Sequence, residues 1–139
     1  MQIHPQLQQD CHQLGKLDAC TLLLHKNALL PWFILLPPGE QRELYQLEPA
    51  LQQQVQNEIN RMAAFVDNYF NADKLNIATI GNIVPQLHIH IIGRFHNDFC
   101  WPAPVWGQTS RADYTAQQIA GIRQALQADK ILPSSSALD

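Results

Sequence analysis

The strongest constraint on the fold is PALQQQVQNEINRMAAFVDNYF, from Pro49 to Phe70. Leu51, Val55, Ile59, Met62, Val66 and Tyr69 recur there at steps of three and four, which places them in one stripe along a helix. Pro49 suits the first helical position, where its missing N–H has no intrahelical partner to lose. A stripe this long needs a broad apolar surface to cover it, and the flanking sequence offers strands. CTLLL (Cys20–Leu24) and LLPWFILL (Leu29–Leu36) read as a hairpin around a His25-Lys26-Asn27 turn. Pro31 demotes the first half of the second strand to an edge or bulge position. LNIATI (Leu75–Ile80) and the segment Gln86–Ile92 read as two more strands, joined through Gly81-Asn82.

The remaining segments are shorter. Leu7 to Leu17 reads as a short polar helix with Gly15 near its end. Gln41 to Leu47 reads as a helical turn after the Pro37-Pro38-Gly39 stop. FCWPAPVWG (Phe99–Gly107) reads as an ordered loop. A closing helix is expected over about 115–130, with Ile119, Ile122 and Leu126 inward, and a disordered tail over 133–139. Strands, then a helix, then strands with tight turns favour an antiparallel α+β domain over a doubly wound one. The 139 residues fit a single domain, 1–139.

Composition narrows the function classes. A hydrophobic fraction of 46% with 15% charged residues is that of a globular protein. With a net charge of −3 and no Lys/Arg cluster, a surface that coats nucleic acid polymers is not expected, whereas a pocket for a nucleotide remains open. No run approaches the roughly 18 apolar residues of a membrane span, and the N-terminus lacks a signal-peptide pattern. Cys11, Cys20 and Cys100 form no C-x-x-C pair and suggest free thiols in a reducing, cytoplasmic setting.

The chemistry is expected in VPQLHIHIIGRF, Val84 to Phe95. In a strand, Gln86, His88, His90 and Ile92 share one face, and Leu87, Ile89 and Ile91 point to the long helix. Same-face neighbours lie roughly 6.5–7 Å apart, so two imidazoles could act on one small anion. Three readings stand on spacing alone: polar filler, a metal site and catalysis. A metal site would need a third ligand from His25, His96 or Asp98. Taken singly, His25 and His96 read as partly solvated side chains. Trp32, Phe33, Trp101 and Trp106 read as core or interface residues rather than base-stacking ones.

The segment Gln86-Leu87-His88-Ile89-His90-Ile91-Ile92 resembles the signature of the histidine triad (HIT) superfamily of nucleotide hydrolases and transferases, in which three histidines alternate with apolar residues. Its first histidine is replaced by Gln86. GNIVPQLHIHIIGRF, LLPWFILLP, KLNIATIGN and WPAPVWG together resemble a bacterial HIT branch, in the right order over roughly residues 20–107. The resemblance implies a two-layer HIT-like α+β domain, with an antiparallel sheet of about five strands under the long helix, and a homodimer whose sheets join side by side. It also implies that His88 is the nucleophile and that His90 helps hold the phosphate or leaving group.

An imidazole can attack an α-phosphorus without a metal or other cofactor and form a nucleotidyl-histidine that water then cleaves. A backbone carbonyl on its other nitrogen would fix the tautomer. A protonated His90 would donate to a non-bridging oxygen, with Gly81 and Asn82 completing the cradle. Two departures bear on this. Gln86 cannot carry a proton, and Asn27 stands where the related branch has an acid that holds the ribose hydroxyls. The lead expectation is a HIT-family hydrolase or nucleotidyl transferase acting on a small-molecule nucleotide. The alternatives are a catalytically impaired nucleotide-binding module and a His88/His90 metal-binding protein.

Overall fold

The computed structural model describes residues 1–134, so the expected tail falls almost wholly outside the described residues. Five strands form one antiparallel sheet: β1 (Cys11–Lys16), β2 (Thr21–His25), β3 (Trp32–Leu36), β4 (Lys74–Ala78) and β5 (Ile89–Arg94), in the order β1-β2-β3-β5-β4. The helices are α1 (Pro5–Asp10), α2 (Pro49–Phe70) and α3 (Ala116–Ala128), with a 3-10 turn at Leu44–Gln46. This is the open α+β sheet with packed helices expected from the sequence.

Helix α2 matches the apolar stripe from end to end. Val55, Ile59, Met62 and Val66 are buried against Leu22, Leu24, Phe33, Leu35, Ile89 and Ile91, and Leu51 packs partly on the same core. Tyr69 is an exception: it is about half exposed and stacks on Phe65, which is itself buried. Ile122 and Leu126 bring α3 onto the same layer. A polar group also sits under α2. Glu58 is buried, and its two carboxylate oxygens accept the backbone N–H groups of Ala19 (2.9 Å) and Cys20 (2.8 Å) just ahead of β2.

Three local expectations are corrected. The helix expected over Leu7–Leu17 is a single short helix, α1, followed directly by a strand. His4 caps α1 by accepting the Gln6 N–H, and Pro5 starts it. From Cys11 onward, pairing with β2 overrides the local polar pattern, with a bulge between Gln13 and Gly15 that blurs the alternation a strand would otherwise show. Strand β3 begins only at Trp32, after Pro31, in the interior of the sheet rather than at an edge. Strand β5 begins at Ile89 rather than Gln86, because β3 reaches only to Leu35 opposite Ile89 and β4 only to Ala78 opposite His90.

The carbonyl of Pro31 accepts the N–H of Gly93 (2.9 Å), so the backbones approach closely where β5 passes under α2. A Cβ on Gly93 would stand 2.8 Å from the Pro31 ring and 3.0 Å from a Val66 methyl, both stiff groups. Gly93→Ala is therefore expected to destabilise the protein by about 1–3 kcal/mol through overpacking, seen as a lower urea midpoint with an unchanged slope.

The sheet face opposite α2 carries a second, smaller cluster. Leu7 from α1, together with Val84 and Val105, covers Leu23, Trp32, Ile34 and Ile92. His88 and His90 belong to this side. No helix among the described residues is long and apolar enough to cross a membrane.

Candidate active site

The early end of β5 determines how His88 is presented. Upstream of Ile89 the chain leaves the ladder, yet the alternation of faces persists: Leu87 enters the α2 core while His88 and His90 turn the other way. With no strand opposite it, the carbonyl of Gln86 is available to a side chain. His88 Nδ1 lies 2.6 Å from that oxygen. A carbonyl only accepts, so Nδ1 carries the proton and Nε2 keeps its lone pair. The orienting carbonyl expected from the sequence is thus supplied two residues upstream.

His90 is set differently. Its Nδ1 accepts the indole N–H of Trp32 at 2.9 Å, and an indole N–H can only donate, so the proton of His90 sits on Nε2. Burial first, then the neighbouring His88 and His25, lowers its pKa to about 3. His90 therefore stays neutral at pH 7 and presents an N–H donor, not the protonated imidazolium expected from the sequence. The His88 and His90 rings meet edge to face with centroids 4.8 Å apart.

Because the unfolded imidazole titrates near 6.5 and the folded one near 3, the unfolded chain binds more protons between those values. The His90 contribution to stability is complete above about pH 6.5 and declines as pH falls toward about 3. Trp32→Phe removes one hydrogen bond to the neutral ring, worth about 1 kcal/mol. His90 should then titrate about one pH unit higher, still well below 6.5 because burial, the larger cause, remains. Ring C–H shifts followed by NMR against pH would measure this.

A third imidazole belongs to the same site, and the sequence reading treated it as ordinary. His25, opposite Trp32 at the end of β2, stacks flat on the indole with centroids 4.0 Å apart and planes 9° apart. Its Nδ1 accepts the N–H of Asn27, which again leaves the proton on Nε2. Burial lowers its pKa to about 4, with the Asp10 charge opposing the fall and Arg111 adding to it. Strand alternation could have revealed it, since Leu23 and His25 share the face that carries Trp32.

A cavity of about 600 Å³ brings His25, His88, His90, Gly81, Asn82 and Trp106 to one place. Gly81 has φ +68°, a conformation that glycine adopts without strain. Trp106, from the Trp-Pro loop of the same chain, lies edge-on to both Trp32 and His90, and its indole N–H is buried without a partner. The loop is braced by buried Arg94, which pairs with Asp98 and donates to the carbonyl of Ala103 and to the Asn76 side chain.

Two expected site residues are placed elsewhere. The Gln86 amide accepts from the His4 N–H (2.8 Å) and donates to the Gln2 carbonyl, so its side chain ties down the N-terminal arm. Asn27 does not line the cavity; its amide holds the segment 110–112 through the Ser110 carbonyl and the Ala112 N–H. The candidate third metal ligands also lie apart in function. Asp98 is bound to Arg94, and His96 is exposed beside Asp73. Among the described residues no group of three or more His, Cys, Asp or Glu side chains is disposed to hold a metal ion.

Comparison with known proteins bears on the whole arrangement. A family model described as the HIT domain matches residues 6–97. A histidine triad protein from Marinobacter aquaeolei is 39% identical, with TM-score 0.87 over 92% of this chain and 94% of that one. A histidine triad protein from Bradyrhizobium japonicum is 36% identical, with TM-score 0.88 over 92% and 96%. The diadenosine triphosphate hydrolase of Plasmodium falciparum, 18% identical with TM-score 0.58 over 89% or more of neither chain's identity but 94% of this chain and 78% of that one, shares the fold alone. Nothing among curated proteins matches the chain. From the family match and the two histidine triad relatives, the chain belongs to the HIT domain family.

Proposed function

We propose that the chain is a metal-independent nucleotide hydrolase or nucleotidyl transferase that works through a covalent intermediate on His88. The observation that carries this reading is the 2.6 Å contact between His88 Nδ1 and the Gln86 carbonyl. It leaves Nε2 as a free lone pair on a residue that lines the cavity. In the proposed reaction Nε2 attacks the α-phosphorus of a nucleotide, and the bond to the leaving group breaks with its electron pair. Water then attacks the nucleotidyl-histidine, cleaves the P–N bond and returns the imidazole.

The neighbouring donors suit the charge that develops. His90 Nε2–H is aligned by Trp32 without carrying charge, and it would donate to a non-bridging oxygen. Backbone N–H groups at Gly81-Asn82 and the Asn82 amide would add to this cradle. The unpartnered Trp106 N–H is a further donor beside His90. Since the Gln86 amide is committed to Gln2 and His4, it passes no proton to the leaving group. Substrates whose leaving group departs easily should therefore react fastest. The fold shared with a diadenosine triphosphate hydrolase agrees with nucleotide chemistry. The exposed Ile77 on the edge strand β4 marks a place where a second copy would pair to give the homodimer.

Trapping the intermediate tests the reading. Brief reaction with a nucleoside phosphoramidate, acid-free quenching and mass spectrometry should place a nucleotidyl group on the peptide holding His88. Calorimetric binding of a mononucleotide, with no adduct and no turnover across phosphoramidates and dinucleotides, would instead establish a binding module.

A further inference from the structure

The cavity around His88 and His90 is proposed above to receive a phosphate, yet the one formally charged side chain among the described residues lining it is a carboxylate, Asp10. A carboxylate placed against a phosphate would repel it. It must therefore face a part of the ligand that offers hydrogen-bond donors. The fold places Asp10 beside His25: Cys11 stands opposite His25 in the β1–β2 register, and the Asp10 carbonyl accepts the Lys26 N–H at 2.9 Å. Gln6 holds the carboxylate, donating from Nε2 to each oxygen at 3.0 Å. Lone pairs on both oxygens remain for a ligand.

His25 contributes the complementary group. Its ring is fixed by the stack on Trp32, and Asn27 N–H occupies Nδ1, so Nε2–H is the donor it presents. Strand β2 is separated from β5 by β3 alone. The acceptor and donor thus stand roughly 10 Å across the sheet from the strand of His88, two strand spacings away. That is the direction in which a nucleotide attacked at phosphorus would extend its sugar.

We propose that Asp10 and His25 form the sugar subsite of this enzyme, with the Asp10 carboxylate accepting both hydroxyls of a ribose cis-diol and His25 Nε2–H donating to one of them. The inference rests on the proposed reaction at His88 and gives it a substrate class: ribonucleotides in preference to nucleotides without the diol. It also assigns the role that Asn27, held against residues 110–112, does not fill.

The test compares kcat/KM for adenosine 5′-phosphoramidate with that for its 2′,3′-dideoxy counterpart. Wild type should prefer the ribose compound by at least about tenfold, because the dideoxy sugar leaves two site groups unpaired. In Asp10→Asn and in His25→Phe, which retains an aromatic ring to stack on Trp32, the preference should fall to within about threefold. The ratio is insensitive to partial loss of folded protein, since both rates scale with active enzyme. Equal rates on the two compounds in wild type, or an undiminished preference in both variants, would overturn the subsite while leaving the His88 adduct intact. Should neither compound form an adduct, the reaction at His88 is what fails. Calorimetry with adenosine and 2′,3′-dideoxyadenosine on the same three proteins then reads the subsite directly: a wild-type preference lost in both variants supports it, and equal affinities overturn it.

Discussion

Replacing His88 with alanine should lower turnover of a nucleoside phosphoramidate by about 10⁴-fold or more, and no nucleotidyl adduct should be trapped. The magnitude follows from removing a nucleophile, after which only binding and the remaining donors favour attack by water. The fold should tolerate the change. His88 lies upstream of the paired part of β5, and its one hydrogen bond is to the Gln86 carbonyl, beside a cavity that water can enter. Added imidazole should restore part of the rate, because the space vacated in His88→Ala approximates the ring it lost. Full activity in this variant would remove the covalent route altogether. The same geometry clarifies the departure at Gln86. The contact that orients His88 comes from the Gln86 backbone, so replacing the side chain of a histidine there leaves the nucleophile's tautomer unaffected. What changes is the side chain's role, which here is to anchor Gln2 and His4.

Much of this was legible in the residue order because the signals were periodic and local. The stripe from Leu51 to Val66 located α2 to its end residues, and the alternation from Leu87 to Ile92 separated the core face of β5 from the histidine face. The missing pieces depend on partners distant in sequence. Strand β1 exists because β2 pairs with it, and the bulge after Gln13 broke the alternation that would have marked it. The role of His25 depends on Trp32 lying opposite it, and the neutral state of His90 on an indole donor 58 residues away. Asn27 illustrates the converse. Its position in the hairpin suggested a ligand contact, but the segment 110–112, unreadable from local pattern, reaches back and occupies its amide.

Glu58→Ala is expected to give the largest loss of stability, about 3 kcal/mol. The carboxylate accepts two backbone N–H groups, those of Ala19 and Cys20, in surroundings where Glu58 itself is only 2% exposed. Truncation leaves both donors buried without partners, at about 1–3 kcal/mol each. Part of that is offset, because the folded protein no longer pays to keep a carboxylate out of water. The expected result is a urea midpoint lower by roughly 1–3 M, taking a slope of about 1–3 kcal/mol per molar. Glu58→Gln separates the two effects. It keeps the volume and removes the charge, but offers one oxygen acceptor where two are needed, so one N–H is left facing an amide NH₂. Its loss should fall between wild type and alanine. If Glu58→Gln were as stable as wild type, the pairing of two N–H groups with one carboxylate would contribute nothing, and packing along the stripe would suffice to seat α2. The functional reach of this contact follows from the chain order. Glu58 fixes Ala19 and Cys20 at the entrance to β2, and the far end of β2 carries His25 to the cavity. A variant that loosens this entrance should therefore weaken ligand binding on the His25 side before it alters the reaction at His88, whose strand is held independently by β3 and β4.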